Sequence, residues 1–377
     1  DHTRHQRAER AQSNPGQTSL QAVGPDRDQP RVLSGRRARQ LRDALLLAAS
    51  LGVVSGALLL RRSKEPSASP VVQAAAATST EPSPLPRGGA IERVALDEHE
   101  AQAGCDFADN GFGVYEGWRP LPIGRLLVPP ARAIRADGGY DLLVHFHGAE
   151  PVRKQLAPRD LGLVIAGVDL GTRSSDYARA LEGGGWEALL QAIDREVASA
   201  AGIADARARR LVLSSWSAGS GAIGRIIERG SGQLDALILL DSLYGSYMPG
   251  QTSLVQGQLA PYVALASAAA RGAPVFYLTH TEIPTSGYAS TKEAATFLLR
   301  ELGASPIAVT SSGDDALSSA QGRGADDAGD ALRLTRMYDG GGLYVRGYAS
   351  TGPGGHCAQL RLLPAILAEH VLPALGR

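Results

Sequence analysis

The chain has 377 residues, 44% of them hydrophobic and 20% charged, with a formal net charge of zero. That size and apolar content suit one large globular domain or two smaller ones. Nothing in the neutral balance asks for a nucleic-acid or acidic partner, so nucleic acid is not expected.

Residues 1–40 are polar and arginine-rich, and are expected to be disordered. A run of seventeen residues without a charge follows, Ala44 to Leu60, with Arg36, Arg37, Arg39 and Arg42 before it and Arg61, Arg62 and Lys64 after it. At about 1.5 Å per residue a helix there spans about 25 Å, near the lower limit for a bilayer core. Flanking arginines can snorkel and extend it. Residues 41–62 are therefore expected to form a single transmembrane anchor. A cleaved signal peptide fits less well, because the small residues Ala74–Ala77 lie well beyond the apolar run, past intervening charges. The arginine bias favours the N-terminus inside and the large C-terminal part exported to the periplasm or cell surface. Residues 63–90, rich in Pro, Ser, Ala and Thr, read as a flexible stalk.

The folded domain is expected over 91–377. Apolar runs predict strands at Asp141–Phe146, Leu163–Val168, Leu211–Ser214, Ala236–Leu240, Val275–Thr279 and Leu343–Tyr348. Helical patterns fall at Glu187–Ala200, Ala218–Arg229, Val263–Arg271, Thr291–Leu302 and Ala358–His370. Continuous apolar strands alternating with amphipathic helices predict a mostly parallel sheet covered on both faces. Ligands of such sheets bind at the C-terminal strand ends. The two cysteines, Cys105 and Cys357, match no metal-ligand spacing. They leave two readings open, a disulfide in an oxidising compartment or two buried thiols.

The most informative stretch is R-L-V-L-S-S-W-S-A-G-S-G-A-I-G-R-I-I, residues 210–227. A short apolar strand runs into Ser215-Trp216-Ser217-Ala218-Gly219, a small-x-Ser-x-small turn, and a glycine-rich helix follows at once. Such a turn strains the central serine and needs small residues two before and two after it. It lifts the Ser217 hydroxyl above the sheet and aims a helix N-terminus at whatever that hydroxyl attacks.

A serine nucleophile needs a base, and the base needs an orienting acid. Three histidines follow Ser217. His370 lies within the last helical pattern and His280 in Thr279-His280-Thr281-Glu282. His356 sits in Gly352-Pro-Gly-Gly-His-Cys, read as a flexible loop before the last helix, and is the expected base. The acid is Asp241, closing the strand after the nucleophile, or Glu282, after the next strand; Asp241 is favoured. Asp339 and the acidic run 314–330 come behind them. Two oxyanion donors are expected from backbone N–H groups. One is Ala218, after the nucleophile. The other is Ala149 or Gly148, after the strand that ends in His147-Gly148, where the His147 side chain itself reads as structural. Trp216, Tyr244, Tyr247 and Tyr288 fall near the expected site and could line its pocket.

Strand-His-Gly, nucleophile turn, strand-Asp and late Gly-Gly-His together resemble the α/β-hydrolase family, in the family's order, over about residues 115–377. Ser215 departs from the commoner glycine but is also small. The resemblance implies an eight-stranded sheet and hydrolysis of an ester, amide or thioester through an acyl-serine, with no cofactor and no metal. The leading reading is a membrane-anchored serine esterase with a small-molecule or lipid ester as substrate. Acyl transfer on the same fold and a non-catalytic binding module are the alternatives.

Overall fold

Valine, isoleucine and leucine run without interruption through Leu142-Leu-Val and Ala236-Leu-Ile-Leu-Leu240, and such runs can be strands only if both faces are covered. A computed structural model describes residues 106–230, 232–310 and 332–376, which fall within one unit, Gly88–Arg377. The expected disordered segment, anchor and stalk lie outside the described residues, as do the start of the expected catalytic domain and the acidic run 314–330. Among the described residues no helix is long and apolar enough to cross a membrane.

The strands are β1 (Arg119–Pro120), β2 (Arg125–Leu127), β3 (Gly139–Phe146), β4 (Val164–Val168), β5 (Arg207–Trp216), β6 (Ala236–Leu240), β7 (Val275–His280), β8 (Ile307–Ala308), β9 (Leu334–Gly340) and β10 (Leu343–Tyr348). They form one ten-stranded sheet in the order β1-β2-β4-β3-β5-β6-β7-β10-β9-β8. From β4 to β10 the neighbours are parallel, and the outer strands on both sides are antiparallel. The sheet is thus an α/β structure, mostly parallel at its centre. It is larger than the eight strands implied by the family resemblance. The extra edge strands are short or polar, and β9 carries Arg336 and Asp339 where an apolar run would have announced it.

Helices pack on both faces. They are α1 (Ala149–Leu156), α2 (Ser174–Ala180), α3 (Gly185–Ala201), α4 (Ser220–Glu228), α5 (Gln256–Ala270), α6 (Thr291–Glu301) and α7 (Pro353–Ala358), with further short helical turns to Ala374. Side chains of β3 alternate between two cores. Leu142, Val144 and Phe146 join Tyr177, Ile193 and Ile223 on one face. Leu143 joins Val152, Leu156 and Leu360 on the other. Ahead of the sheet, residues 109–112 are tied down by Arg153, almost fully buried, which donates to Asp109 at 2.6 and 2.7 Å and to the Gly111 carbonyl at 2.8 Å.

Two helical expectations change. Helix α5 starts at Gln256 rather than Val263, because Pro261 inside it breaks the sequence pattern without breaking the helix. His356 lies in α7, not in a loop: Pro353 opens that helix at its first positions, where a missing N–H costs nothing. Cys357 is fully buried and disulfide-bonded, and the only other cysteine, Cys105, lies outside the described residues.

Candidate active site

Strand order reverses around β3. The chain places β4 on one side of β3 and then crosses to lay β5 on the other. A crevice opens at such a switch point, beyond the C-terminal strand ends. His147 follows β3 there and Ser217 follows β5. Among the described residues four non-glycine residues have positive φ, and three of them close adjacent sheet strands: His147 (71°), Ser217 (49°) and Asp241 (46°). Strain of this kind collects at functional sites.

The turn at Ser217 forms because its flanks are small. A Cβ on Gly219 would meet the Phe146 carbonyl oxygen at 2.1 Å, and one on Gly221 the Ser174 carbonyl oxygen at 1.9 Å. Ser215 is more than tolerated. Its Oγ lies 2.8 Å from Ser242 Oγ, and Ser242 donates to the Ser217 carbonyl at 3.0 Å. Since Ser242 has one proton to give, Ser215 must donate to Ser242. The relay pins the backbone of the turn from the neighbouring strand end.

His356 Nδ1 donates to Asp241 Oδ2 at 2.6 Å. The carbonyl of His356 accepts from Trp216 Nε1 at 2.9 Å, and the two rings meet at 4.8 Å, tilted by 32°. His147 stacks on Trp216, at 4.9 Å and nearly parallel. Trp216 thus positions the two histidines rather than lining open space, and it is buried. Among the described residues no hydrogen bond joins Ser217 Oγ to the His356 ring; such bonds are often long before a substrate is present.

Asp241 is buried and its carboxylate is well held. It accepts from Thr281 N at 3.0 Å, from Thr281 Oγ1 at 2.9 Å and from Thr291 Oγ1, besides His356. Thr291 arrives there because Ser290 caps α6 in a capping box with Glu293. Burial alone would raise the Asp241 carboxyl, but the His356 bond and charge and the two threonine hydroxyls outweigh it and hold the group below its usual range. Glu282 is elsewhere, paired with Lys292 and partly exposed. Asp339 pairs with Arg346 across the β9–β10 hairpin. His280 is buried with Nδ1 3.3 Å from the Thr281 carbonyl, and His370 packs on Tyr344. The structure therefore brings Asp241 and His356 together beside Ser217 and leaves the other candidates out.

The two loop amides expected as oxyanion donors are engaged. Gly148 N donates to Asp169 Oδ1 at 2.7 Å, and Ala149 N reaches the same carboxylate at 3.1 and 3.3 Å. These are the free N–H groups at the start of α1, and a carboxylate is the natural cap for them. Ala218 stays in place at the start of the helical turn after Ser217. Sequence reading also missed His145. This residue is fully buried, with Nε2 donating to the His147 carbonyl at 2.7 Å and Nδ1 3.0 Å from Ser214 Oγ. It holds the strained His147 turn. His147 itself is structural as expected, its Nδ1 2.9 Å from the Tyr177 hydroxyl.

Tyr244 follows Asp241 by three residues and is half-buried. Its hydroxyl donates to the Asp241 carbonyl at 3.1 Å. Tyr288 packs edge-on against its ring at 5.6 Å, and Tyr247 turns away to Glu293.

No protein-family model matches the sequence, and no curated protein is similar to it. Among solved structures, the chain is similar to a thermostable esterase at 13% identity, with a TM-score of 0.34. The match covers 67% of this chain and 58% of the esterase, so it spans less than two thirds of that protein. It is also similar to a loop variant of haloalkane dehalogenase from Bradyrhizobium elkanii, at 13% identity and a TM-score of 0.20, covering 69% of this chain and 74% of that one. Likeness at this level carries no argument about chemistry, which rests on the geometry above.

Proposed function

We propose that this chain is a serine hydrolase with an α/β-hydrolase fold, a carboxylic-ester hydrolase working through an acyl-serine. The observation that carries the proposal is the 2.6 Å bond from His356 Nδ1 to a buried Asp241, beside a strained Ser217 at a strand-to-helix turn. In this reading Asp241 keeps the Nδ1–H tautomer, which leaves the Nε2 lone pair as the base. Ser217 Oγ attacks the ester carbonyl carbon and its proton passes to Nε2. The carbonyl oxygen becomes an oxyanion, with the Ala218 N–H as one donor. The C–O bond to the alcohol then breaks, and His356 returns the proton to the leaving oxygen. Water repeats the sequence on the acyl-serine and releases the acid.

The proposal includes location: a domain held at the outer face of a membrane by residues 41–62. The Cys357 disulfide suits an oxidising compartment.

Ser217→Ala should lose roughly 10⁶ in turnover and all fluorophosphonate labelling, while keeping the parent's melting curve. Labelling that persists, at Ser215 or Ser220, would sink the assignment.

A further inference from the structure

We propose that a second pocket, between α6 and the strands β7, β10 and β9, binds a small carboxylate that carries a hydroxyl group and a short apolar chain. Strand register builds one side of it. His280 on β7, Gly347 on β10 and Arg336 on β9 stand in one row across the sheet, so they share a face. The outer two are separated by two strand spacings, about 10 Å, and the glycine between them leaves a slot. A Cβ at 347 would meet His280 Nε2 at 2.6 Å, so glycine is what lets the imidazole lie there. The other side is one face of α6, where Lys292, Ala295, Thr296 and Leu299 recur at helical spacing. Met337 and Val345 add apolar wall. Ser217, Asp241 and His356 do not line this pocket.

The polar groups define what fits. His280 is only 5% exposed, and among the described residues nothing bonds its Nε2. Its Nδ1 lies 3.3 Å from the Thr281 carbonyl, which can only accept, so the neutral ring carries its proton on Nδ1 and Nε2 is a bare acceptor. Burial pushes the pKa of the ring down, which keeps it neutral near pH 7. A buried acceptor left without a donor is costly, and a ligand hydroxyl supplies the donor. Lys292 is half-buried and pairs with Glu282, while Arg336 is exposed and makes no hydrogen bond or ion pair among the described residues. Two cations thus face one carboxylate. The charge left over suits a ligand carboxylate, which a guanidinium can grip with two N–H groups. Leu299, Met337 and Val345 take the carbon chain. The space is about 310 Å³ with its open mouth, at the small end of ligand pockets, so the chain is short.

The test is calorimetric titration of the purified full chain with 2-hydroxybutyrate, butyrate and inorganic phosphate. Expected is saturable binding of 2-hydroxybutyrate, roughly tenfold tighter than butyrate, the scale of one hydrogen bond to a buried acceptor. Phosphate, which has no chain, should bind more weakly than either. His280→Leu should abolish the preference between the two acids. Arg336→Gln should weaken both by the same factor, roughly tenfold, because they share the carboxylate. Equal affinity of the two acids for the parent overturns the proposal, as does phosphate binding as tightly or no saturable binding at all. A preference that survives His280→Leu, or parent affinity in Arg336→Gln, places the ligand elsewhere and refutes the site. Melting curves establish that the variants fold; if His280→Leu does not, the Arg336→Gln comparison decides. The readout is heat of binding, so each outcome stands whether or not Ser217→Ala is active.

Discussion

Replacing Asp241 by Asn removes one charge from a site with four donors. The carboxylate accepts from His356 Nδ1 at 2.6 Å, Thr281 N at 3.0 Å, Thr281 Oγ1 at 2.9 Å and Thr291 Oγ1. An amide has one oxygen and one NH₂. If the oxygen keeps Thr281 N–H and Thr291, the NH₂ faces Thr281 Oγ1 and the imidazole. A hydroxyl can rotate to accept. The imidazole can only accept by moving its proton to Nε2, the atom that takes the Ser217 proton in the proposed mechanism. The base is then blocked, and the expected loss is roughly 10⁴ in kcat, about 5 kcal/mol of barrier. Glu282→Gln touches no group of this network. It breaks a partly exposed pair with Lys292, of a kind that contributes about 1 kcal/mol or less to stability. Its kcat should stay near wild type. Both variants are assayed with one small ester, with melting curves to confirm folding. A large loss in Glu282→Gln beside near-normal Asp241→Asn would refute the reasoning.

The buried His145 makes acid stability testable. Burial pushes its pKa from 6.5 down to about 3, so an unfolded chain takes up a proton below pH 6.5 that the folded one refuses. Stability is complete above that pH and is lost as pH falls toward about 3, at up to about 1.4 kcal/mol per unit. His145→Gln, which can still donate to the His147 carbonyl, should flatten the fall in melting temperature across this window, and an unchanged slope argues against the assignment. For the anchor, full-length protein should sediment with membranes until detergent is added; recovery in the soluble fraction without detergent removes that proposal.

The central sheet was legible because parallel strands buried on both faces need apolar runs: β4 and β6 are apolar throughout, and β3 and β7 carry the runs Leu142-Leu-Val and Val275-Phe-Tyr-Leu. Edge strands lack that constraint, so β1, β2, β8 and β9 left no signal. The sharp turn at Ser217 could be read from its small neighbours alone, since turn sterics are local. The acid could not. Asp241 and Glu282 both follow a strand, and what separates them is non-local: three donors from residues 281 and 291 around one carboxylate, and Lys292 beside the other. Asp169 shows the same limit. It follows β4 as Asp241 follows β6, and only the folded chain reveals that it caps the amides of 148 and 149.

The strain at the three strand ends explains where the chain places its buried polar side chains. Positive φ costs a non-glycine residue roughly 1–3 kcal/mol, and His147, Ser217 and Asp241 each bear it. Each has a backbone group tied by a side chain. His145 binds the carbonyl of 147, Ser242 the carbonyl of 217, and Thr279 Oγ1 the N–H of 241 at 3.0 Å. A net hydrogen bond contributes about 1 kcal/mol, so each support offsets a good part of the local cost. His145, Ser214, Ser215, Ser242, Thr279, Thr281 and Thr291 make up about half of the buried polar residues, and all of them serve these strand ends. A fold needing only stability would fill those positions with apolar side chains. Keeping them polar makes sense if holding Ser217 and Asp241 in strained, convergent positions is what the sequence is built to do.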